Sequence, residues 1–348
     1  MSVVLITGSS GLVGSESVNF FCDRGFDVIG IDNNLRKFFF GNDGSTQWLK
    51  NILIKRNKNF KNFNTDIRNY NGLEKIFKKY KKKISLIIHC AAQPSHDYGK
   101  NFPIIDFSVN ATGTLNLLEL TKKYCYDAKF IFMSTNKVYG DNPNKLKIFE
   151  IKKRWELKKN DKYFNGIDEK FSIDNCIHSF LGVSKTYADL IVQEYGKNIG
   201  LNTVCFRGGC ITGPNHSGAK LHGFLSYLVK LALKNKKYNI IGHKGKQVRD
   251  NLHSNDLVNC FWEYYKKPRK GEVYNIGGGR HSNCSIVEAL EIVEKIKNIK
   301  ISKQFINTPR VGDHIWYISN LRKFKQHYPN WKQKYNTKKI IEELIDKN

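Results

Sequence analysis

The N-terminal half of the chain alternates between short apolar runs and longer amphipathic runs. Val3–Thr7 and Asp27–Ile31 are short and rich in β-branched residues, as buried strands are, whereas Ser15–Arg24 has the spacing of an amphipathic helix. Further strand-like runs at 60–65, 86–90 and 129–134 alternate with helix-like runs at 71–81 and 110–122. This alternation predicts an α/β fold with a doubly wound parallel sheet, in which ligands bind beyond the carboxyl ends of the strands.

Three glycines separate the first predicted strand from the first predicted helix. Gly8, Gly11 and Gly14 have G-x-x-G-x-x-G spacing, which lets the backbone turn tightly and approach a pyrophosphate at the helix N-terminus. Asp32 closes the second strand about 20 residues on, where a carboxylate accepts hydrogen bonds from ribose hydroxyls and repels a 2′-phosphate. The combination predicts a Rossmann-type site that prefers NAD to NADP.

Composition and charge narrow the class of protein. No apolar run reaches 18 residues, and the apolar N-terminus lacks the basic region of a signal peptide. Eight scattered cysteines without a C-x-x-C pair are typical of a cytoplasmic protein with neither disulfides nor a metal site. The net charge of +27 is spread along the chain without a nucleic-acid-binding motif. We therefore expect no nucleic-acid partner and no membrane partner.

A series of motifs in fixed order resembles the extended short-chain dehydrogenases/reductases, and among them the nucleotide-sugar epimerase/dehydratase family. The motifs are T-G-S-S-G-L-V-G at 7–14, Asp32, Asp66-Ile67, C-A-A-Q at 90–93, N-A-T-G at 110–113, S-T-N-K-V-Y-G at 134–140, Lys185, R-D-N-L-H at 249–253 and Y-N-I-G-G-G at 274–279. The CDP-paratose/CDP-tyvelose 2-epimerase branch is the most similar, through M-S-T-N-K-V-Y-G-D at 133–141, G-K-Q-V-R-D at 245–250 and R-V-G-D-H-I-W at 310–316.

The resemblance implies the domain organisation and the binding residues. It implies an NAD-binding Rossmann domain over residues 1–200, with contributions from about 240–260, and a smaller nucleotide-sugar-binding lobe over 201–348. The residues implied at the NAD site are Gly8, Ser10, Gly11, Leu12, Val13, Asp32, Asn33, Asp66, Ile67, Ala91, Ala92, Gln93, Asn110, Ser134 and Lys185. Those implied at the substrate site are His96, Asn136, Lys137, Asn215, His216, Arg249 and Arg310. No bound metal is expected. The resemblance implies a homodimer or a higher homo-oligomer.

Arginine forks match phosphate oxygens bidentately, which suits Arg249 and Arg310 to a nucleotide diphosphate. An ion pair between Arg249 and the adjacent Asp250 is the structural alternative. Asp256 resembles the acidic residue that anchors this segment in the family, and a structural role is expected for it.

The family's chemistry meets an unusual residue in this chain. A base removes the proton of a sugar hydroxyl while a nicotinamide accepts a hydride, and the resemblance assigns catalytic roles to Thr135 and Lys185. The usual base is a tyrosine four residues before the lysine, where this chain has Leu181. The candidates for an alternative base are Lys185 itself, His178, His96, Asp97 and Lys137. A different placement of the substrate or a loss of oxidation would also explain Leu181; we expect catalysis to be retained.

The predicted function is that of an NAD-dependent epimerase of a nucleotide-diphosphate sugar, with C2 as the leading position of a transient ketone. Asn136 and Lys137 stand where sugar-nucleotide dehydratases have an acidic pair, so no carboxylic acid is available there to protonate a leaving hydroxyl. The alternatives are an NAD-dependent nucleotide-sugar dehydrogenase or reductase and a non-catalytic protein that binds NAD and a nucleotide sugar.

Overall fold

The computed structural model describes residues 2–216, 223–308 and 312–347, and the chain divides into two compact units. The first unit consists of Met1–Val138, Phe180–Arg207 and Val258–Tyr274, and the second of Tyr139–Ser179, Gly208–Leu257 and Asn275–Asn348. The chain thus passes between the units five times. The sequence analysis divides the chain differently, into a domain over 1–200 with contributions from about 240–260 and a lobe over 201–348.

The regular elements are numbered in chain order. The strands are β1 (Val3–Thr7), β2 (Asp27–Ile31), β3 (Phe60–Phe63), β4 (Ile84–His89), β5 (Lys129–Thr135), β6 (Ile148–Glu150), β7 (Trp155–Leu157), β8 (Asn202–Gly208), β9 (Cys210–Thr212), β10 (Tyr238–Ile241), β11 (Val248–His253), β12 (Glu272–Ile276), β13 (Asn283–Ser285), β14 (Lys303–Ile306) and β15 (Trp316–Tyr317). The α-helices are α1 (Leu12–Cys22), α2 (Leu35–Phe40), α3 (Gln47–Arg56), α4 (Tyr70–Tyr80), α5 (His96–Asn101), α6 (Pro103–Phe107), α7 (Gly113–Tyr124), α8 (Ser179–Lys197), α9 (Phe224–Leu233), α10 (Ser254–Lys266), α11 (Ile286–Lys297), α12 (Arg322–His327) and α13 (Thr337–Lys347).

A seven-stranded sheet with the order β12-β8-β5-β4-β1-β2-β3 forms the centre of the first unit. From β3 through β2, β1 and β4 to β5, neighbouring strands are parallel. The chain order reverses between β1 and β4, and in doubly wound sheets the ligand crevice lies at that reversal. The predicted Rossmann-type doubly wound fold is confirmed.

The core of the first unit explains the continuous apolar runs in the sequence. All five residues of β1 are buried, because helices cover both faces of a parallel sheet. Leu5 and Ile87 belong to one hydrophobic cluster with Leu117 of α7 and Val192 of α8. A strand that is buried on both faces cannot alternate apolar and polar residues, so its composition is uniform.

The second unit contains smaller sheets and a separate helical core. Strand β11 pairs with β9 and β15 in parallel and with β13 in antiparallel orientation. Residues of α9, α11 and α13, among them Leu228, Leu290 and Ile340, form its hydrophobic cluster. Helix α11 begins with a capping box, in which Ser285 and Glu288 satisfy each other's backbone N–H groups.

One predicted helix is interrupted at its start. The run expected to be helical over 110–122 begins as a π-helical turn, Ser108–Thr112, and continues as α7 from Gly113. A β-carbon at Gly113 would lie 2.5 Å from Cδ1 of Ile67, so glycine allows the two segments to touch. A π turn contains one residue more than an α-helical turn, and over a segment of only five residues the sequence pattern does not distinguish the two.

Across the described ranges, none of the helices has the length and apolar character that a bilayer crossing requires. Within these same ranges, no group of three His, Cys, Asp or Glu side chains is placed to hold a metal ion.

Candidate active site

The glycine-rich turn joins β1 to α1 at the carboxyl edge of the sheet. Gly8 has a φ of +67°, and a β-carbon there would lie 2.8 Å from the backbone nitrogen of Ala91. A β-carbon at Gly14 would lie only 2.0 Å from the carbonyl oxygen of Gly8. Gly11 is the N-cap of α1, and no side chain of the described residues caps it. The first N–H groups of α1 therefore remain available to an anion.

Asp32 lies at the end of β2, directly beside this turn. Its carboxylate accepts hydrogen bonds from the backbone N–H groups of Ser10 (2.9 Å) and Asn34 (2.8 Å). The hydroxyl of Ser10 is buried and has no partner among the described residues. Leu12 and Val13 follow in the first turn of α1 and are partly exposed. A cradle without β-carbons, an oriented carboxylate and an orphaned buried hydroxyl together fit a dinucleotide.

The next two candidates stand at the end of the segment that follows β3. Asp66 forms an ion pair with Arg68 (2.7 Å) and accepts a hydrogen bond from the amide of Asn33 (3.1 Å). Burial opposes ionisation of Asp66, but the hydrogen bonds from Arg68 outweigh it and hold the pKa of Asp66 below its usual value. Ile67 is buried beside Gly113. These contacts fix the backbone of this segment in one conformation.

The segment after β4 carries Ala91, Ala92 and Gln93. The backbone N–H of Ala91 donates to the hydroxyl of Thr7 (3.2 Å). The backbone N–H of Gln93 donates to the side-chain oxygen of Asn110 (2.9 Å), and the side-chain amide of Asn110 donates to the backbone carbonyl of Gln93 (3.1 Å). Ala91 and Ala92 are partly exposed and Gln93 is buried. The segment is thus anchored at both ends, with the alanines between sheet and solvent.

Strand β5 ends in Ser134 and Thr135, which make contacts of different kinds. The hydroxyl of Ser134 donates to Asp189 (2.5 Å), whose carboxylate forms a buried ion pair with Arg207 (2.8 Å). The hydroxyl of Thr135 accepts from the backbone N–H of Lys137 (3.2 Å), and Thr135 is partly exposed. Consecutive strand residues point to opposite faces, so anchoring Ser134 leaves the Thr135 hydroxyl at the accessible edge.

Lys185 lies in α8 with its amine inside the first unit. The Nζ atom donates to the carbonyl oxygen of Met133 (2.6 Å) and lies 4.1 Å from the ring centroid of Phe132. Only 6% of the residue is exposed, and burial lowers its pKa to about 8. Among the described residues no carboxylate forms an ion pair with this amine. Its neutral form is therefore accessible near physiological pH.

Leu181 stands one helical turn before Lys185. It is 6% exposed, whereas its neighbours Phe180 and Val183 are 52% and 54% exposed. Residues i and i+4 share one face of a helix, so Leu181 and Lys185 lie on the same buried face of α8. The residue one helical turn before Lys185 is thus a buried apolar side chain.

Two tyrosines that are close in sequence to Thr135 and Lys185 have other partners. Tyr139 is fully buried, and its hydroxyl donates to the side-chain oxygen of Asn275 (2.7 Å) within the second unit. Tyr187 is 37% exposed, and its ring lies 5.6 Å from that of Phe107. Both are used in packing.

Among the other candidate bases and substrate ligands of the first unit, Asn136 is buried, whereas His96 and Lys137 are partly exposed and Asp97 is exposed. His178 belongs to the second unit, where its ring lies 3.6 Å from the sulfur of Cys176.

The described substrate candidates at 215, 216 and 249 belong to the second unit. Arg249 forms an ion pair with Asp313 (2.5 Å), so the proposed alternative pairing with Asp250 is wrong. Neighbouring residues of β11 point to opposite faces, and Asp250 accepts instead from the backbone N–H groups of Gly279 (3.2 Å) and Ser319 (2.8 Å). Burial raises the pKa of Asp250 to about 6.

Asn215 and His216 lie in the loop after β9. Asn215 and His216 are partly exposed, and a β-carbon at Gly223 would lie 2.2 Å from Cε1 of His216. Arg310 lies outside the described residues. Asp256 accepts hydrogen bonds from the backbone of Lys334 and Tyr335, which is a structural contact.

The sequence analysis missed three buried residues that support the site. Asp106 precedes Asn110 by four residues, and Asp189 follows Lys185 by four, so each shares a helical face with a candidate. Arg207 neutralises Asp189 from the adjacent strand β8. The i, i+4 spacing of an acid from a site residue was the available signal.

Comparisons with known proteins extend these observations. A family model described as GDP-mannose 4,6 dehydratase matches residues 5–153, and one described as NAD dependent epimerase/dehydratase family matches residues 167–277. CDP-paratose 2-epimerase of Salmonella typhi is 32% identical over 351 residues, which cover 99% of this chain and 98% of that protein. UDP-glucuronate 4-epimerase of Thermodesulfobacterium geofontis is 26% identical over 88% of this chain and 84% of its own.

Solved structures show the same fold. The structure of dTDP-glucose 4,6-dehydratase of Bacillus anthracis in complex with NAD has a TM-score of 0.78 and 24% sequence identity to this chain. The match covers all of this chain and 96% of that structure's chain.

Proposed function

Because the chain belongs to the NAD-dependent nucleotide-sugar epimerase/dehydratase family of extended short-chain dehydrogenases/reductases, we propose that it is an epimerase of a nucleotide-diphosphate sugar. The observation that carries the proposal is the 32% identity, over almost the whole length of both chains, to a CDP-paratose 2-epimerase. By this similarity, C2 is the ring carbon that we expect to be oxidised and reduced again.

An epimerase is favoured over a dehydratase by the residues after Thr135. Elimination of water needs an acid to protonate the leaving hydroxyl, and this chain has Asn136 and Lys137 in the segment that supplies it in dehydratases. An epimerase also restores its cofactor in every turnover. A reductase, which is the second candidate, would have to release the used cofactor and bind a fresh one in every turnover.

We assign the binding of NAD and of the sugar hydroxyl to different residues of the first unit. Bound NAD supplies a two-electron oxidant that the reaction regenerates. The N-terminus of α1 behind Gly11 suits the pyrophosphate, and the carboxylate of Asp32 suits the adenosine ribose. Lys185, whose amine donates to the carbonyl of Met133 in β5, suits the nicotinamide end, and Thr135, the last residue of β5, suits the sugar hydroxyl.

Proton transfer must occur without a phenol at position 181. Of the candidate bases, we favour the amine of Lys185. Burial brings its pKa to about 8, and its contacts are a backbone carbonyl and an aromatic ring. A neutral amine can accept the proton of the sugar hydroxyl as the ring carbon is oxidised and return it when the ketone is reduced.

The first test is the reaction itself. The purified protein is incubated with NAD and, separately, with CDP-, UDP-, dTDP- and GDP-linked hexoses, and the sugars are analysed by NMR. We expect the C2 epimer of one of them, without net formation of NADH. A 6-deoxy-4-keto product would contradict the proposal, and stoichiometric NADH would favour the dehydrogenase.

The second test concerns the choice of cofactor. Asp32→Ala should weaken NAD binding by about 10- to 100-fold, the loss expected for a charge-assisted hydrogen bond, and NADP binding far less. Fluorescence titration with both cofactors measures this, and Asp127→Ala, at an exposed position, is the control. Tighter binding of NADP than NAD by the unmodified protein would refute the role of Asp32.

The third test asks whether Leu181 is a defect. If Lys185 is the base, Leu181→Tyr should leave NAD binding intact and raise single-turnover reduction of NAD by less than about tenfold, below the 10²–10⁴-fold that general-base catalysis contributes. Lys185→Met should abolish that reduction. A gain of two orders of magnitude in Leu181→Tyr would identify a crippled member of the family.

An exposed apolar surface on two helices of the first unit supports a homodimer. On α6 and α8 the exposed side chains are Ile104, Phe107, Phe180, Val183, Tyr187 and Leu190. The four on α8 follow the i, i+3, i+7, i+10 spacing of a helix-packing seam.

We also propose a cytoplasmic location, because all eight cysteines lie within the described residues and are free thiols.

The fourth test is the oligomeric state. Ile104 is 84% exposed, so Ile104→Asp should not disturb the fold but should place a charge in the exposed apolar surface. We expect sedimentation velocity to show a dimer for the unmodified chain and a monomer for the variant. Ile52→Asp, at a 51% exposed position on α3, should remain dimeric. A dimeric Ile104→Asp variant would place the interface elsewhere.

A further inference from the structure

A buried carboxylate with which no cation among the described residues forms an ion pair lies in the first unit. Asp106, in the short helix α6, is 1% exposed and accepts three hydrogen bonds. The donors are the hydroxyl of Ser184 (2.5 Å), the amide of Gln93 (2.5 Å) and the amide of Asn110 (3.4 Å). Burying an ionised group is costly unless hydrogen bonds compensate, so a carboxylate in this place needs an explanation.

The four side chains form one directed network. Ser184 donates to Asp106 and accepts from Asn110 (3.0 Å). The amide nitrogen of Gln93 faces Asp106, and the amide oxygen of Gln93 accepts from the backbone N–H of Ser95 (2.5 Å). All four side chains are buried, and each direction is consistent with an ionised Asp106 that only accepts.

The space around the carboxylate is restricted as well. A β-carbon at Gly99 would lie 2.9 Å from the Oδ1 atom of Asp106 and 3.3 Å from the amide nitrogen of Gln93. Only glycine at position 99 therefore lets helix α5 approach the network without displacing it.

The network joins the two ends of the candidate site. Gln93 and Asn110 belong to the implied NAD site, and Ser184 immediately precedes Lys185, with its hydroxyl oxygen 3.1 Å from the carbonyl oxygen of Leu181. With a phenol missing at position 181, the orientation of Lys185 depends on what holds α8. Asp106 connects that helix to the segment after β4 through two hydrogen bonds of 2.5 Å.

We propose that Asp106 is a positioning residue of the reaction, which as an ionised acceptor fixes the Gln93 segment and the turn of α8 that carries Lys185. The inference rests on the proposed function. The charge of Asp106 holds the side chains of the site in position, and the unit does not need this charge to be stable.

The pKa of Asp106 supports this distinction. Burial raises that pKa, while the hydrogen bonds from Ser184 and Gln93 and the charge of Lys185 lower it less. A carboxyl group whose folded-state pKa is raised favours the folded state only while it is protonated, and this contribution is lost as the pH rises through the folded-state pKa. The ionised form of Asp106 is therefore a cost to stability, and removing its charge should not unfold the protein.

The amine of Lys185 provides a readout that is independent of turnover. Burial dominates its pKa, and the groups that raise it are Cys90, Asp189, Cys205 and Asp106. Burial and, to a smaller extent, the charge of this amine lower the pKa of the imidazole of His89. Loss of the charge of Asp106 should therefore lower the pKa of Lys185, which tests whether Asp106 is ionised close to this amine. The affinity for NAD separates a positioning role from a purely structural one.

The experiment compares Asp106→Asn with the unmodified full-length protein. The introduced amide must direct its NH₂ group at either Ser184 or Gln93, which are donors, so the network has to rearrange. We expect NAD binding, measured by calorimetry, to weaken about tenfold and the Lys185 side chain, titrated by NMR with ¹³C-lysine, to show a lower pKa. The thermal midpoint should stay unchanged or rise. Ser108→Ala, in the adjoining turn where the hydroxyl contacts only the carbonyl of Ile105 (2.9 Å), is the matched control.

A double-mutant cycle completes the test. Asp106→Asn and Ser184→Ala share a contact, so their effects on NAD affinity should be less than additive, whereas those of Asp106→Asn and Ser108→Ala should add. A lower thermal midpoint with unchanged NAD affinity and Lys185 titration would reduce Asp106 to a structural residue and overturn the proposal. Because none of these readouts requires turnover, a failure of the unmodified protein to epimerise any sugar would refute the proposed function separately.

Discussion

A methyl group at position 14 would lie 2.0 Å from the carbonyl oxygen of Gly8, and the cofactor side of the first unit depends on that close approach. It lets α1 start immediately after β1 and point its free N–H groups past the sheet edge. It also brings the backbone of Ser10 to the carboxylate of Asp32 and the turn at Gly8 to the backbone of Ala91. Three strand ends are thus held around one small space, and larger side chains at either glycine would separate them.

The parts of the fold that could be predicted from the sequence are those with a strong local pattern. The bounds of Val3–Thr7 and Asp27–Ile31 agree with the structure, because strands buried on both faces are short, apolar and ended by turn residues. The glycine spacing was equally informative, since it reflects contacts within a few residues. The family motifs then located Thr135 and Lys185 at one strand end.

The remaining features depend on contacts between distant residues. Asp106 accepts from Gln93, 13 positions earlier, and from Ser184, 78 positions later, and no periodicity encodes such partners. Arg249 pairs with Asp313 across 64 positions, although an acidic residue adjoins it, because the alternation of a strand directs neighbours apart. The π turn at Ser108–Thr112 also escaped prediction, since one additional residue in a five-residue segment is too little to change the apolar pattern visibly.

The order of the strands has a consequence for biosynthesis. The central sheet takes its outermost strand on one side, β12, from residues 272–276, while its first strand begins at residue 3. A chain emerging from the ribosome would therefore expose an apolar sheet edge at β5 until β8 is made, and would lack its final strand until about three quarters of the polypeptide exists. Unpaired strand edges promote aggregation, so the nascent chain has a long interval in which protection by chaperones is useful.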